Sequence, residues 1–597
     1  MTRRKGRRPA DWRNLLVAVL VPAAFFAALE LGLALFGVEP VRYREDPYVG
    51  FAATAPLFVA ETGPAGAVTW TTAANKRRLF NEQRFAGEKP RGTYRIFCVG
   101  GSTTYGRPYD DATSFCGWLR ELLPAVDDSR RWEVINAGGV SYASYRSALL
   151  MEELARHEPD LFIIYSGHNE FLEKRTYGGL IATPPAVRGL AAWASRTRIW
   201  AAMRAGLRRV RPASDPAADP GTVSGTGGPS LLAAEVSTLL DASIGPDAYE
   251  RDDAQRDRVL AHYRFNLARM ADIAAAVGAR AVLVTPASNL RRSSPFKSQH
   301  RDGLSQPELD RWGAAWERAA SAGDPAAALA AADAALAIDD RYAEAHYLRG
   351  SLLYGLGRYA EAATAFERAR DEDVCPLRAL GPAAEIVRQV AAERGVPVVD
   401  FARFVAARAP HGIPGEESFL DHVHPTIEVH RLLALELLAA LRAARIVAPG
   451  ATWSEATIAA VRHRVEGRLD VEAHGRALLN LSKVLGWAGK LEDSRRLAER
   501  AVATAPELPE VHYQAGLTAQ LTGRLDEAVA HYRRSLELAP RAATTHGNLA
   551  AALEAQGSTL QAILHYRQAV ALLPAGESAY KKQLEDTLVR LGATPGG

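Results

Sequence analysis

Three polar residues of this sequence have the types and the spacing that nucleophilic catalysis needs. Ser102 lies in the segment Gly100-Gly-Ser-Thr-Thr-Tyr-Gly106, whose glycines allow the backbone to bend sharply beneath an exposed hydroxyl. A serine hydroxyl becomes a strong nucleophile when a base removes its proton and an acid orients that base. Asp421 and His424, three residues apart, can both project from one side of a single turn. The pattern predicts a Ser-His-Asp triad.

Two other interpretations of the Ser102 segment stay open on these residues alone. A serine in a glycine-rich loop can simply cap the helix that follows. The segment can also be a phosphate-binding loop, although the lysine of the Walker pattern does not follow it. Hydrolysis would also need a donor for the oxyanion, and Asn169 in Tyr165-Ser-Gly-His-Asn-Glu-Phe171 supplies an amide side chain for that role.

Five short apolar segments predict the strands that must position these residues. They are residues 95–100, 132–136, 161–165, 279–285 and 396–401. Segments with helical spacing lie between them, at residues 114–123, 145–157 and 252–277. This alternation predicts a parallel sheet covered by helices. Because ligands bind at the carboxyl edge of such sheets, Ser102 after the first strand and Asn169 after the third are expected to meet there.

A second pattern recurs with a period of 34 residues. It consists of turn glycines, closing prolines, a small residue and an aromatic, namely Gly489, Gly523, Gly557, Pro506, Pro540, Pro574, Ala528, Ala562, Tyr532 and Tyr566. The pattern resembles tetratricopeptide repeats (TPR), in which helix pairs stack into a solenoid that binds protein partners. It predicts an all-α solenoid at residues 470–597. Gly323 and Gly357 keep the same register and predict a smaller all-α TPR insertion at residues 306–372.

Four sequence blocks follow one another in a characteristic order. They are Gly100-Gly-Ser-Thr103, Asn136-Ala-Gly-Gly-Val-Ser141, Gly167-His-Asn-Glu170 and Asp421-His-Val-His-Pro425. Together they resemble the blocks of SGNH (GDSL) hydrolases, over residues 91–305 and 373–445. The resemblance implies a three-layer α/β, flavodoxin-like fold with no metal and no cofactor. It also implies that Ser102 is the nucleophile, His424 the general base and Asp421 the acid that orients it.

The same resemblance implies an oxyanion hole and leaves one of its donors open. The backbone N–H of Ser102 and the side chain of Asn169 are two of the implied donors. For the third, the second block aligns either Gly139 or Ser141, and each offers a backbone N–H. The first block departs from its usual form, because Gly101 stands where an aspartate is common. Since the triad takes its acid from the fourth block, activation of the serine is expected to survive this change.

Other polar residues near these blocks are candidates for contact with the substrate. His168 and Glu170 flank the third-block asparagine, and Arg291 and Lys297 follow the fourth predicted strand at the same edge. Capping of the loop is the alternative for the first pair, and solvated loop charge is the alternative for the second. His422, inside the fourth block, is expected to be a surface or packing histidine.

The N-terminus combines basic residues with a long apolar run. Residues 1–13 hold six arginines and lysines, and the 24 residues 15–38 contain a single charge, that of Glu30. A bilayer core needs about 20 helical residues, so the pattern predicts a single-pass anchor at 14–38 in the inner, cytoplasmic membrane. By the positive-inside rule, the tail at 1–13 is cytoplasmic and the remainder is extracytoplasmic, that is, periplasmic. Residues 39–90 are expected to form a stalk or packed lead-in, and residues 446–469 a linker helix.

Composition and motifs together narrow the function. A net charge of +4 over 597 residues gives no sign of nucleic-acid binding, and three cysteines exclude a disulfide framework. The favoured hypothesis is a membrane-anchored serine esterase that hydrolyses a carboxylic ester, with an envelope glycan or lipid as the acyl carrier. An O-acyltransferase or O-acetyltransferase acting on a polysaccharide would use the same acyl-enzyme. A third hypothesis is a TPR assembly scaffold whose hydrolase-like domain is inactive.

Overall fold

The computed structural model describes residues 12–35, 56–63, 66–172, 197–199, 202–203, 249–450, 453–573 and 579–594. Its first element is helix α1 (Trp12–Leu35), which coincides with most of the predicted anchor at 14–38. Across the described ranges, no helix is long and apolar enough to cross a membrane. Of the predicted cytoplasmic tail, residues 1–11 lie outside the described residues.

From residue 56 onward, the predicted lead-in forms an antiparallel sheet rather than a stalk. Its strands are β1 (Phe58–Thr62), β2 (Val68–Thr72) and β3 (Arg84–Ala86), paired in that order. Phe58 and Phe85 pack edge to face with ring centroids 4.9 Å apart, and both join the buried core that contains Phe97. This small sheet is therefore packed against the α/β domain. Residues 39–55 of the predicted lead-in lie outside the described ranges.

A five-stranded parallel sheet forms the centre of the α/β domain. Its strands are β4 (Thr93–Gly100), β5 (Arg131–Gly138), β6 (Leu161–Tyr165), β7 (Arg280–Val284) and β8 (Val398–Val399), paired in the order β5-β4-β6-β7-β8. This is the 2-1-3-4-5 order of flavodoxin-like folds. Because the order reverses beside β4, the carboxyl end of β4 opens onto the crevice where such folds bind ligands.

Helices cover both faces of this sheet. Among the described residues between β4 and β7, the helices are α2 (Ser102–Tyr105), α3 (Phe115–Val126), α4 (Ser144–Leu154) and α5 (Asp253–Ala276). Neighbouring residues of β4 point to opposite faces, so Phe97 packs in one core with α4 and α5 while Cys98 packs in a second core with α3. Strands buried on both faces need an apolar residue at most positions, which is why the strand segments are mainly apolar. The domain therefore has three layers.

A four-helix insertion interrupts the domain between β7 and β8. It comprises α6 (Gln306–Ser321), α7 (Pro325–Ile338), α8 (Ala343–Gly355) and α9 (Tyr359–Asp371). The close approach of α8 and α9 depends on Gly350, where a Cβ atom would lie 2.9 Å from the Phe366 ring. The α/β domain then resumes with α10 (Gly381–Arg394), α11 (Phe401–Arg408) and α12 (Ile427–Ala443), and the separate helix α13 (Glu455–Glu466) follows.

The C-terminal region is a helical solenoid whose turns explain the 34-residue period. Its helices are α14 (Val471–Trp487), α15 (Leu491–Thr504), α16 (Pro509–Leu521), α17 (Leu525–Leu538), α18 (Ala543–Ala555), α19 (Thr559–Leu572) and α20 (Ala579–Arg590). Gly489, Gly523 and Gly557 join paired helices with φ of 76°, 77° and 79°. Glycine adopts this left-handed conformation without the strain that a side chain would add. The repeating glycines are therefore a backbone requirement of each helix-turn-helix unit.

Candidate active site

The nucleophile candidate Ser102 begins the one-turn helix α2 directly after β4. The hydroxyl of Thr104 donates to the carbonyl oxygen of Tyr165, 3.1 Å away at the end of β6, and so fixes this turn to the neighbouring strand. Ser102 itself is 7% exposed. The turn therefore holds a nearly buried hydroxyl at the carboxyl edge of the sheet, beside the place where the strand order reverses.

Gly101 makes room for the side-chain amide of Asn169. A Cβ atom on Gly101 would lie 2.7 Å from Nδ2 of Asn169 and 3.1 Å from the carbonyl oxygen of Tyr142. These two groups are themselves hydrogen-bonded, because Nδ2 of Asn169 donates to the Tyr142 carbonyl at 3.1 Å. A side chain at position 101 would displace the Asn169 amide and crowd the Tyr142 carbonyl, so this close approach requires glycine. The second hydrogen on Nδ2 remains to be donated elsewhere.

Ser102, His424 and Asp421 form a continuous hydrogen-bonded chain. Nε2 of His424 lies 2.8 Å from Oγ of Ser102, and Nδ1 lies 2.6 Å from Oδ2 of Asp421. The other carboxylate oxygen, Oδ1, accepts the backbone N–H groups of Val423 and His424 at 2.8 and 2.7 Å. Because Asp421 can only accept when ionised, Nδ1 carries the imidazole hydrogen and Nε2 accepts from the serine hydroxyl. The arrangement can therefore deprotonate Ser102 during nucleophilic attack.

The charge on Asp421 is held in place by its surroundings. Burial acting alone would raise the pKa of this carboxyl group. The attraction of His424 and His422, together with the hydrogen bonds from His424, outweighs burial and sets the pKa of Asp421 well below its usual range. Asp421 is therefore an anion at neutral pH, as the orienting acid of a triad must be.

His422 lies beside the triad, although the sequence pattern predicts a surface or packing role for it. Its ring centroid is 6.3 Å from that of His424, and its Nδ1 is 3.7 Å from Oδ2 of Asp421. Burial lowers the pKa of His422 to about 4, and the positive charges of neighbouring groups act in the same direction. The negative charge of Asp421 opposes these effects but does not outweigh them. The ring is therefore neutral at neutral pH. Its position between two triad residues in the fourth block is the signal that could have placed it.

His168 is a buried neutral donor at the end of β6. Its Nδ1 accepts the backbone N–H of Ala379 at 3.3 Å, so the neutral ring carries its hydrogen on Nε2. Burial lowers the pKa of His168 to about 3, and the charges of His422 and His424 act in the same direction. Nε2 is buried, and no described residue pairs with it. The ring can therefore donate one hydrogen bond to a bound substrate.

Asn289 connects the loop after β7 to the triad segment, a contact that the sequence did not indicate. Its Nδ2 donates to the carbonyl oxygen of Asp421 at 3.1 Å, and its backbone N–H donates to the carbonyl oxygen of His422 at 3.0 Å. Its own carbonyl oxygen accepts from Arg378 at 2.6 Å. Arg378 is 1% exposed, and burial lowers its pKa to about 10. The loop after β7 thus supports the backbone on which Asp421 sits.

The structure separates the two candidates for the third oxyanion donor. The backbone N–H of Gly139 donates to the carbonyl oxygen of Gly100 at 2.9 Å, so this amide is already occupied. Ser141 has a left-handed φ of 61°, inside a turn closed by the N–H of Tyr142 on the Gly139 carbonyl at 3.1 Å. Its N–H has no acceptor among the described residues. Ser141 is therefore the residue of the two whose amide is available.

The remaining candidates for substrate contact are tied to the protein itself. The carboxylate of Glu170 accepts the backbone N–H and the hydroxyl of Ser144 at 3.0 and 2.7 Å, which favours the capping alternative. Arg291 pairs with Glu417 at 2.7 Å. The backbone N–H of Lys297 donates to Asp373 at 3.0 Å. In the part of the chain that is described, no cluster of three or more His, Cys, Asp or Glu side chains is arranged to hold a metal ion.

The helical segments match sequence models of a known repeat family. Residues 317–373 and 507–575 each match the tetratricopeptide repeat. Both segments are tetratricopeptide repeats. The prediction of these repeats is thereby confirmed over residues 317–373 of the insertion and residues 507–575 of the solenoid. No curated protein matches the chain.

Several solved structures resemble the chain at low identity. The lipase/acylhydrolase from Enterococcus faecalis is 13% identical, with 60% of this chain and 98% of that chain covered and a TM-score of 0.26. LAE5, an α/β hydrolase enzyme from the metagenome of Lake Arreo, is 12% identical, with coverages of 58% and 94% and a TM-score of 0.25. The TPR protein YrrB, which has an unusual peptide-binding site, is 16% identical, with coverages of 48% and 93% and a TM-score of 0.18. Scores this low carry no functional argument, which must come from the site itself.

Proposed function

We propose that this protein is a serine esterase that cleaves a carboxylic ester through an acyl-serine intermediate. The hydrogen-bonded chain from Ser102 through His424 to Asp421 carries the proposal. Nε2 of His424 takes the hydroxyl proton while Oγ of Ser102 attacks the ester carbonyl carbon, and the imidazolium then gives this proton to the leaving alcohol. In the second half, His424 deprotonates a water molecule that attacks the acyl-serine. The carboxylic acid leaves and the proton returns to Ser102.

Three donors would stabilise the oxyanion of both tetrahedral intermediates. They are the backbone N–H of Ser102, the backbone N–H of Ser141 and the second Nδ2 hydrogen of Asn169. Ser141 takes this role rather than Gly139 because the Gly139 amide already donates within the protein. One such preorganised donor is worth about 3 kcal/mol of transition-state stabilisation.

Membership of the SGNH hydrolases is part of this proposal. The first three sequence blocks lie at or directly beyond the carboxyl ends of β4, β5 and β6, at one edge of the sheet. The fourth block contributes the acid and the base to the serine of the first. The 2-1-3-4-5 strand order supports the same assignment.

The repeats and the cellular location belong to the proposal as well. Tetratricopeptide repeats commonly bind proteins, so we assign them a protein partner. The basic N-terminal residues support an extracytoplasmic site and an acyl carrier in the envelope, either glycan or lipid. Protease added to cells with a permeabilised outer layer and an intact cytoplasmic membrane should then degrade the domain. Protection until the cytoplasmic membrane is lysed would refute the location.

Hydrolysis of a short-chain nitrophenyl ester by the full chain tests the activity. Ser102→Ala and His424→Ala should each lower kcat by about a thousandfold or more, because either change removes the activated nucleophile. Ser147→Ala is a matched control, since Ser147 is a buried serine of α4 whose hydroxyl has no partner among the described residues. It should keep wild-type kcat. Hydrolysis that is indifferent to the first two substitutions would refute the triad.

Competition by an acceptor separates hydrolysis from acyl transfer. With an acetyl ester as donor, free acetate should appear at the same rate whether or not an oligosaccharide acceptor is present. Acetylated sugar that accumulates at the expense of acetate would show that the acyl-serine is consumed by a hydroxyl acceptor instead of water. The protein would then be an O-acyltransferase built on the same triad.

A further inference from the structure

The first C-terminal repeat, formed by α14 and α15, packs against the segment that carries the triad acid. Leu420 immediately precedes Asp421, and it lies in one apolar cluster with Leu478, Leu481 and Leu485 of α14. Tyr109 joins the same cluster from the loop that follows α2. This repeat therefore covers chain segments adjacent to both the nucleophile and the acid of the triad.

Lys490, in the turn between α14 and α15, reaches across to the loop after β7. Its ammonium group donates to Oγ and to the carbonyl oxygen of Ser294 at 2.8 and 3.3 Å, and also to the carbonyl oxygen of Pro295. It also lies 5.0 Å from the centroid of the Phe296 ring. That ring packs edge to face on His422, with centroids 5.0 Å apart. A chain of contacts thus leads from Lys490 to the residue beside Asp421.

A second basic residue of the same repeat holds the neighbouring loop. Arg496 of α15 pairs with Glu416 at 2.9 Å and donates to the carbonyl oxygen of Arg292 at 3.3 Å. Glu416 lies five residues before Asp421 in the chain. Arg292 belongs to the same loop as Asn289, whose side chain donates to the Asp421 carbonyl oxygen. One repeat therefore joins the two loops that set the position of the triad acid.

The corresponding position of the next repeat has different contacts. Arg524 lies 34 residues after Lys490, and its ion pairs are with Glu527 at 3.6 Å and with Glu492 at 3.9 Å, both inside the solenoid. Its side chain is 43% exposed. Lys490 is instead largely buried. Burial lowers its pKa, although the negative charges of Glu344 and other acidic neighbours act to raise it. The contacts of Lys490 with the α/β domain are therefore specific to the first repeat and are not shared by the equivalent residue of the next one.

We propose that the first C-terminal repeat is a structural part of the catalytic unit, in which Lys490 acts as a positioning residue. By holding Ser294, Pro295 and Phe296 in place, it keeps His422 and the Asp421 segment aligned with Ser102. This inference rests on the proposed esterase function. Because the solenoid and the α/β domain share these contacts, the first repeat belongs to the enzyme rather than to a detachable binding module.

The rate at which Ser102 reacts with a fluorophosphonate probe tests the inference in the full chain. This rate reports the Ser102–His424 geometry and needs little substrate recognition. Lys490→Met should lower the phosphonylation rate and kcat together by about ten- to a hundredfold with KM within about twofold of wild type, because displacements below 1 Å are sufficient for such losses. Lys490→Arg keeps the charge and the donors and should restore most of both rates. Arg524→Met, the matched control in the next repeat, should behave as wild type.

Wild-type rates in a folded Lys490→Met protein would overturn the inference. If that variant fails to fold, Phe296→Leu removes the ring between Lys490 and His422 from within the α/β domain and should lower both rates in the same way. Unchanged rates in Phe296→Leu would equally overturn it. If the wild-type chain neither hydrolyses esters nor reacts with the probe, the proposed function fails and hydrogen exchange decides the inference. Lys490→Met should then exchange the amides of Val423 and His424, which Asp421 holds, at least about tenfold faster, and equal exchange would overturn it.

Discussion

Replacement of Gly101 by alanine tests whether Asn169 is an oxyanion donor. The new Cβ atom would lie 2.7 Å from Nδ2 of Asn169, whereas ordinary contacts begin at 3.4 Å. The carbonyl oxygen of Tyr142, 3.1 Å from the same Cβ atom, prevents that atom from shifting away from Asn169. The Asn169 amide must therefore move by about 0.7 Å. Loss of one oxyanion donor costs a factor of about a hundred to a thousand, and a misplacement of about 1 Å costs up to a hundredfold. We expect kcat to fall by about ten- to a hundredfold.

Steady-state kinetics on a nitrophenyl ester can check this expectation with four proteins, namely wild type, Gly101→Ala, Asn169→Ala and the double variant. KM should change little, because the donor acts mainly on the charge that forms in the transition state. Since both substitutions act through one amide, the double variant should be no slower than Asn169→Ala. Wild-type kcat in Gly101→Ala, or losses that multiply in the double variant, would refute the assignment of Asn169.

Acid should destabilise the fold through its buried histidines. Burial sets the pKa of His168 and His430 at about 3 and that of His422 at about 4, so between about pH 6.5 and 4 the unfolded chain binds protons that the native state does not. As the pH decreases through this range, the free energy of unfolding should fall by up to about 1.4 kcal/mol per pH unit for each histidine. In urea titrations, the free energy of unfolding of His430→Leu should depend less steeply on pH than that of wild type, and an equal slope would contradict this. Ser141→Gly should raise the melting temperature, because glycine removes up to about 1 kcal/mol of strain from the left-handed φ of 61°. It should also keep kcat, because the backbone N–H is retained, and a large loss of kcat would argue against a role for that N–H. Gly523→Ala, at a φ of 77°, should weaken the solenoid by about 1–2 kcal/mol in thermal melts while esterase activity persists, because the anchoring contacts lie in the first repeat; a parallel loss of activity would contradict that separation.

Local patterns were sufficient for the strands and the repeats. Each strand of the parallel sheet coincides with a predicted, mainly apolar segment. The repeat turns at Gly357, Gly489, Gly523 and Gly557 each have a glycine of positive φ, whereas Gly323 does not. The last strand, Val398–Val399, is shorter at both ends than the predicted 396–401, and Asp400 limits its C-terminal end. Its carboxylate caps α11 and pairs with Arg388 at 2.9 Å. Periodicity therefore locates an element, while individual polar contacts decide where it stops.

Features that depend on distant contacts were not predictable. Nothing near Lys490 in the sequence indicates that it contacts Ser294, 196 residues earlier. His422 adjoins Asp421 in the sequence, but its contact with the Phe296 ring joins residues that are 126 positions apart. The choice between Gly139 and Ser141 depended on which amide is left unpaired, and that is set by the position of the Gly100 carbonyl oxygen rather than by residue type.

The long separation between the nucleophile and its base has a consequence for biosynthesis. Ser102 and His424 are 322 residues apart, and the four-helix insertion is translated between them. At about 5–20 residues per second, a ribosome needs tens of seconds to cover that distance. The insertion, whose contacts are local, can fold during this interval, while the serine emerges from the ribosome without a partner to activate it. The proposed triad can therefore assemble only after most of the polypeptide has been made.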